Sequence, residues 1–200
     1  MSHDSEIITA SRDRPAAFAE LYDRHAAAVY RYAARRIDRG SAEDIMSETF
    51  LVAFERRAAF DCSYDSALPW LLGIATTLIR KRARLEARAW KGMIAQHEAA
   101  SVTVDQIERI GLRLDAESSI KKVIAVIRRM SDGDRDVLLL HAWADLTYEQ
   151  IAVALSIPIG TVRSRLNRAR STLRAALDRA GARVEEVDHG RVDSGACPAQ

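Results

Sequence analysis

Two hundred residues leave room for one or two compact domains, and a 48% hydrophobic share is enough to build their cores. Thirty Lys and Arg against 28 Asp and Glu leave a net charge of only +2, so overall charge does not identify a partner and the local pattern must. Nine glycines and four prolines are too few for a turn-dense β sandwich and favour long helices.

The first fourteen residues lack a sustained apolar period and are expected to be disordered. From Pro15 to Ile37, Phe18, Leu21, Tyr22, His25, Val29, Tyr32 and Ala33 recur at helical spacing, with Pro15 suited to a first turn. Ser41 followed by Asp44 has the form of a capping box for a second helix. That helix carries an apolar stripe of Ile45, Met46, Thr49, Phe50, Val52, Ala53 and Phe54, and an acidic face of Glu43, Asp44, Glu48 and Glu55. Residues 58–67 lose the period and form a loop with Phe60 and Tyr64. A third helix starts near Pro69 and buries Trp70, Leu71, Ile74, Leu78 and Leu85. Its other side presents Thr76, Thr77, Arg80, Lys81, Arg84, Arg88 and Lys91.

Residues 92–117, with Gly92, Gly111 and isolated apolar positions, form a linker. The helical period returns at Ser118. Capping boxes at Ser131/Asp134 and Thr147/Gln150 open two further helices, and Ser156 to Pro158 makes a three-residue turn. The last helix buries Val162, Leu166, Ala169, Leu173 and Leu177, and residues 161–180 hold six arginines and one aspartate. Beyond Gly181 the tail is polar and expected to be disordered. The reading is therefore all-α: two small helical domains, 15–91 and 118–180, joined by a flexible linker.

The segment from Thr147 to Arg170 is the most specific signal. A short capped helix, a tight turn and a longer basic helix make a helix-turn-helix, whose second helix presents its early turns to the major groove. Arg163, Ser164, Asn167 and Arg168 project together and suit base edges, whereas Thr161, Arg165 and Arg170 suit phosphates. The third helix, with cations beside Phe60 and Tyr64, suits unpaired bases that stack, although Trp70 fits a core position better. Catalysis finds no support: the five histidines make no metal-binding spacing, no glycine loop cradles phosphate, and neither metal nor cofactor is implied. His25 and His141 lie on apolar faces and are expected in the core. Cys62 and Cys197 stand far apart in no CxxC spacing, and the amino terminus has no basic stretch before an apolar run. No apolar run reaches the roughly 20 residues of a bilayer-spanning helix, so a cytoplasmic location is expected.

The stretches SAEDIMSETFLVAFERR, LPWLLGIATTLIRKRAR and MSDGDRDVLLLHAWADLTYEQIAVALSIPIGTVRSRLNRARSTLRAAL together resemble the extracytoplasmic-function (ECF) group of sigma-70-type sigma factors. The resemblance implies a non-enzymatic RNA polymerase subunit that selects promoters. Its region 2 would dock on the polymerase clamp helices and melt the −10 element, its linker would occupy the RNA path, and its region 4 would read the −35 element.

Carried over by position, Asp44, Glu48 and Thr49 meet the polymerase. Phe60, Tyr64, Thr77, Arg80, Lys81 and Arg84 meet the melted −10 strand, and Arg163, Ser164, Asn167 and Arg168 read the −35 duplex. The family usually has asparagine at Thr77, glutamine at Ser47, glycine at Ser156 and serine at Pro158. Implied partners are core RNA polymerase, promoter DNA and an anti-sigma factor spanning both domains. The competing reading, an autonomous helix-turn-helix regulator, needs a ligand pocket or dimer seam that no sequence feature demands.

Overall fold

The computed structural model describes residues 3–97 and 123–179, with side chains over 3–88 and 123–178. Among them there is no strand.

Helix α1 spans Asp4–Asp13, where disorder was expected. Two adjacent isoleucines, Ile7 and Ile8, bury it against the next helices. The buried Asp4 carboxylate accepts from His25 Nε2 (2.6 Å), Arg24 (3.1 Å) and the Ala67 amide (2.8 Å). Burial pushes this carboxyl up, but the Ala67 amide, His25 and Arg24 outweigh it and hold the group below the ordinary carboxylate range. His25 is thus an ion-cluster member rather than a plain core residue.

After a 3-10 turn at Pro15–Phe18, α2 spans Ala19–Ala34 and buries Leu21, Val29, Tyr32 and Ala33. Helix α3 covers Arg39–Glu55. Asp38, ahead of the expected Ser41, caps it by accepting from the Ser41 amide at 3.0 Å. Helix α4 runs Leu68–His97, so it extends six residues into the expected linker; residues 98–117 lie outside the described residues. It buries Leu71, Leu72, Ala75, Leu78 and Ile79, whereas Leu85, expected inside, is exposed.

The second half begins with a helical stretch at 123–129, named α5. Helix α6 (Asp132–Ala144) is capped by Ser131, whose hydroxyl accepts from the Asp134 amide without the reciprocal half of the expected box, and α7 (Tyr148–Leu155) by the reciprocal Thr147–Gln150 box that its spacing predicts. Ser156 ends α7 in the left-handed region at φ 52°, and α8 follows over Ile159–Arg179. Pro158 precedes α8, and its carbonyl accepts from Thr161 and Val162.

The halves pack on each other. A Cβ added at Gly73 of α4 would overlap the Ala154 carbonyl oxygen of α7 and stand 2.9 Å from its carbon, so only glycine permits this approach. Asp136 of α6, fully buried, accepts from Arg36 in the turn after α2 (2.5 Å) and from Arg80 of α4. Arg36 also donates to the Tyr32 hydroxyl (2.7 Å), which lies 2.8 Å from the Thr76 hydroxyl.

Candidate nucleic-acid and protein interfaces

Helix α8 is amphipathic by its period: Val162, Leu166 and Ala169 are buried, which turns the intervening positions outward. Arg163, Ser164, Asn167, Arg168 and Arg170 are all exposed, while Thr161 and Arg165 are half-buried. Four details organise this face. The Ser164 hydroxyl donates to the Thr161 carbonyl at 3.1 Å. Arg168 Nε stands 3.2 Å from the Asp134 carboxylate. The Arg165 guanidinium lies over Gly133, 2.8 Å from where a Cβ would stand, so the absence of a side chain there makes its room. Arg170 lies 3.1 Å from His141 Nε2, whose Nδ1 lies 3.2 Å from the Leu146 carbonyl. Glu149, which caps back through its own amide and the Thr147 hydroxyl, also feels the Arg163 charge, and all three lower its pKa. Every residue assigned to the −35 element therefore sits on one helix, five of them exposed and Thr161 and Arg165 half-buried.

The residues assigned to the −10 strand divide. Phe60, expected against a base, is 6% exposed and packs on Trp70 with ring centroids 5.1 Å apart, because the turn ending at Ala59 aims it inward. Tyr64 remains 42% exposed. Together with Ser66 and Trp70 they wall a recess of about 410 Å³, closed on its far side by Val153 and Ile159 of the other half. Along α4, Thr77 is exposed and its hydroxyl donates to the Gly73 carbonyl at 3.0 Å. Lys81 and Arg84 are exposed, and Arg80 is committed to Asp136. Thr76, assigned by its period to the basic side, is buried and donates to the Leu72 carbonyl.

The acidic face of α3 is also redrawn. Asp44 and Glu48 are exposed, with Asp44 3.5 Å from Arg82. Thr49 is fully buried and its hydroxyl donates to the Ile45 carbonyl at 2.6 Å, so it offers nothing to a partner. Leu51 takes its place: it is 57% exposed and continues the row of Asp44, Glu48 and Glu55 at spacings of four, three and four. The signal was legible, since Leu51 falls outside the apolar stripe of its own helix. Asp136 gave no such signal. Its two arginine partners lie 100 and 56 positions away.

Among the described residues no group of three His, Cys, Asp or Glu could hold a metal, and no helix is long and apolar enough to cross a membrane.

Comparison with known proteins finds two family matches along the chain. Residues 21–89 match the family Sigma-70 region 2, and residues 120–173 match Sigma-70, region 4. The ECF RNA polymerase sigma factor SigK of Mycobacterium tuberculosis (strain ATCC 25618 / H37Rv) is 30% identical over 166 residues, covering 82% of this chain and 87% of its own. SigC of M. tuberculosis (strain CDC 1551 / Oshkosh), another ECF RNA polymerase sigma factor, is 31% identical over 150 residues, 74% and 76% of the two chains. CnrH, solved in complex with the cytosolic domain of CnrY, shares the fold with a TM-score of 0.61 at 22% identity, over 88% of this chain and 97% of that one. Similar in fold is the sigma factor RpoE from Bartonella quintana, solved with the anti-sigma factor NepR: TM-score 0.52, 22% identity, 80% and 96% covered.

Proposed function

Since the chain belongs to the extracytoplasmic-function sigma factors of the sigma-70 family, we propose a division of labour among three of its surfaces, with core RNA polymerase and promoter DNA as partners. The chain is an RNA polymerase sigma factor: it directs the core enzyme to promoters and starts transcription there. In this reading the acidic row of α3, centred on Leu51, docks on the polymerase. The carboxylates steer the encounter, and the exposed leucine supplies apolar burial that rim ion pairs, each worth about 0.2–1 kcal/mol, do not. Arg163, Ser164, Asn167 and Arg168 read the −35 duplex, while Thr161, Arg165 and Arg170 bear on its phosphates. Thr77, Arg80, Lys81 and Arg84 line the path of the melted −10 strand, with Tyr64 as the aromatic available for stacking.

The observation that carries this reading is the separation of two cationic helix faces, on α4 and α8, from one acidic face on α3. An anti-sigma partner belongs to the same proposal, since RpoE, of similar fold, was solved with one. The site of action is then the cytoplasm, where polymerase and promoter are. Reconstitution with core RNA polymerase on a library of promoter fragments tests the whole. Transcripts starting at defined positions are expected, and polymerase retention without them would count against it.

A further inference from the structure

Asp136 is a fully buried carboxylate whose two described cationic partners, Arg36 and Arg80, both come from the other half of the molecule. A buried carboxylate is tolerated only when paired, so its present position makes sense only while the halves are docked. Once they part, all three charges gain water, and the open state carries no uncompensated buried charge. The contact thus has two well-satisfied arrangements.

Docking also has a consequence for DNA. Arg80 lies on the α4 face assigned above to the melted strand, and the Nε–Nη2 edge of its guanidinium, held by Asp136, is not free to grip a phosphate. The recess beside Tyr64 is walled by α7 and by the start of α8, and Glu149 stands on its lining. Gly73 admits α7 close to the start of this face, while Thr77, Lys81 and Arg84 farther along α4 stay exposed. Meanwhile Asp44, Glu48 and Leu51 remain exposed, so the polymerase-facing row is not covered.

We propose that the α6–α7 surface is an internal inhibitor of the −10 face, with the Asp136 carboxylate occupying Arg80 in place of a promoter phosphate. This rests on the assignment of α4 to the melted strand. The full chain therefore exists mainly closed. It binds single-stranded DNA at the α4 face only after Asp136 has released Arg80, and its apparent affinity is reduced by the closed fraction.

Two variants in different halves test this. Asp136→Asn removes the charge that holds the arginines, and Gly73→Ala drives a methyl into α7, with Ala154 supplying the nearest atoms that Cβ would meet. Small-angle X-ray scattering of the full chain should give a larger radius of gyration for both variants than for the wild type. Binding of a fluorescein-labelled, randomised single-stranded DNA pool should tighten roughly tenfold or more. Adding Arg80→Ala to Gly73→Ala should abolish that gain. A wild type already as extended as the variants, or variants that stay compact, overturns the latch. Expansion without tighter binding, or a gain that survives Arg80→Ala, overturns the inhibitory role and places the fault in the assignment of α4. Should Asp136→Asn lose its helical circular dichroism, Gly73→Ala decides alone.

Discussion

Thr49 and Leu51, two residues apart on α3, point to opposite sides of it: the threonine is fully buried with its hydroxyl on the Ile45 carbonyl, and the leucine is 57% exposed beside Glu48. Leu51→Ala should weaken core polymerase binding by about 1–2 kcal/mol, roughly five- to thirtyfold, without lowering the thermal midpoint. Thr49→Val should leave affinity intact. Titration of labelled factor with core enzyme separates the two, and equal losses would remove Leu51 from the docking face. Asp44→Arg should likewise impair binding with the first half still folded.

Arg168 and Arg170 test the sorting of contacts on α8. Arg168→Ala should relax base preference in the −35 element by about 1–3 kcal/mol at one position. Arg170→Ala should weaken binding nearly uniformly and reduce the salt slope by about one contact. Binding to a randomised −35 duplex library at several salt concentrations measures both. Equal shifts in sequence preference would refute the sorting.

Asp4 predicts an acid limb. Its carboxyl is held below the ordinary value of 3.8, so the unfolded chain binds the proton more readily than the folded one. The stability it contributes is therefore present above that value and disappears as pH falls through the lowered folded value. Asp4→Asn should cost about 1–3 kcal/mol at neutral pH and make the denaturation midpoint less dependent on pH below 4, where the wild type should fall steeply. Urea titrations at stepped pH give the comparison. An unchanged acid slope would exclude Asp4 as its source.

Ser156 holds φ 52° at the end of α7, where a Cβ is unfavourable. Ser156→Gly should raise stability by about 0.5–1 kcal/mol, since relief of the left-handed backbone exceeds glycine's added chain entropy. Thermal denaturation of the full chain reads this as an upward shift of a few degrees, and a downward shift would show that the hydroxyl contributes more than the backbone loses.

What could be recovered from sequence was what neighbours along the chain determine. The Thr147–Gln150 box and the α8 seam of Val162, Leu166 and Ala169 depend on residues three and four apart, and both stand in the structure as their spacing predicts. Where the outcome rests on distant packing, spacing misled. Helix α1 offers few apolar residues, and beside the buried Ile7 and Ile8 it is held by contacts of Asp4 with His25, Arg24 and the amide of Ala67, 63 positions away. Phe60 carries an aromatic ring suited equally to a base or a core, and only Trp70 across the loop resolves the choice. Thr76 shares the basic side of α4 by period, but the Tyr32 hydroxyl draws it inward.

The contacts from Thr76 through Tyr32 and Arg36 to Asp136, and on to Arg80, thread helices from both halves. The DNA-reading half is therefore not a freely exchangeable cassette. Grafting one that lacks an acid at position 136 would strand the Arg36 charge beside a buried tyrosine, and the chimera could hydrate it only by coming apart.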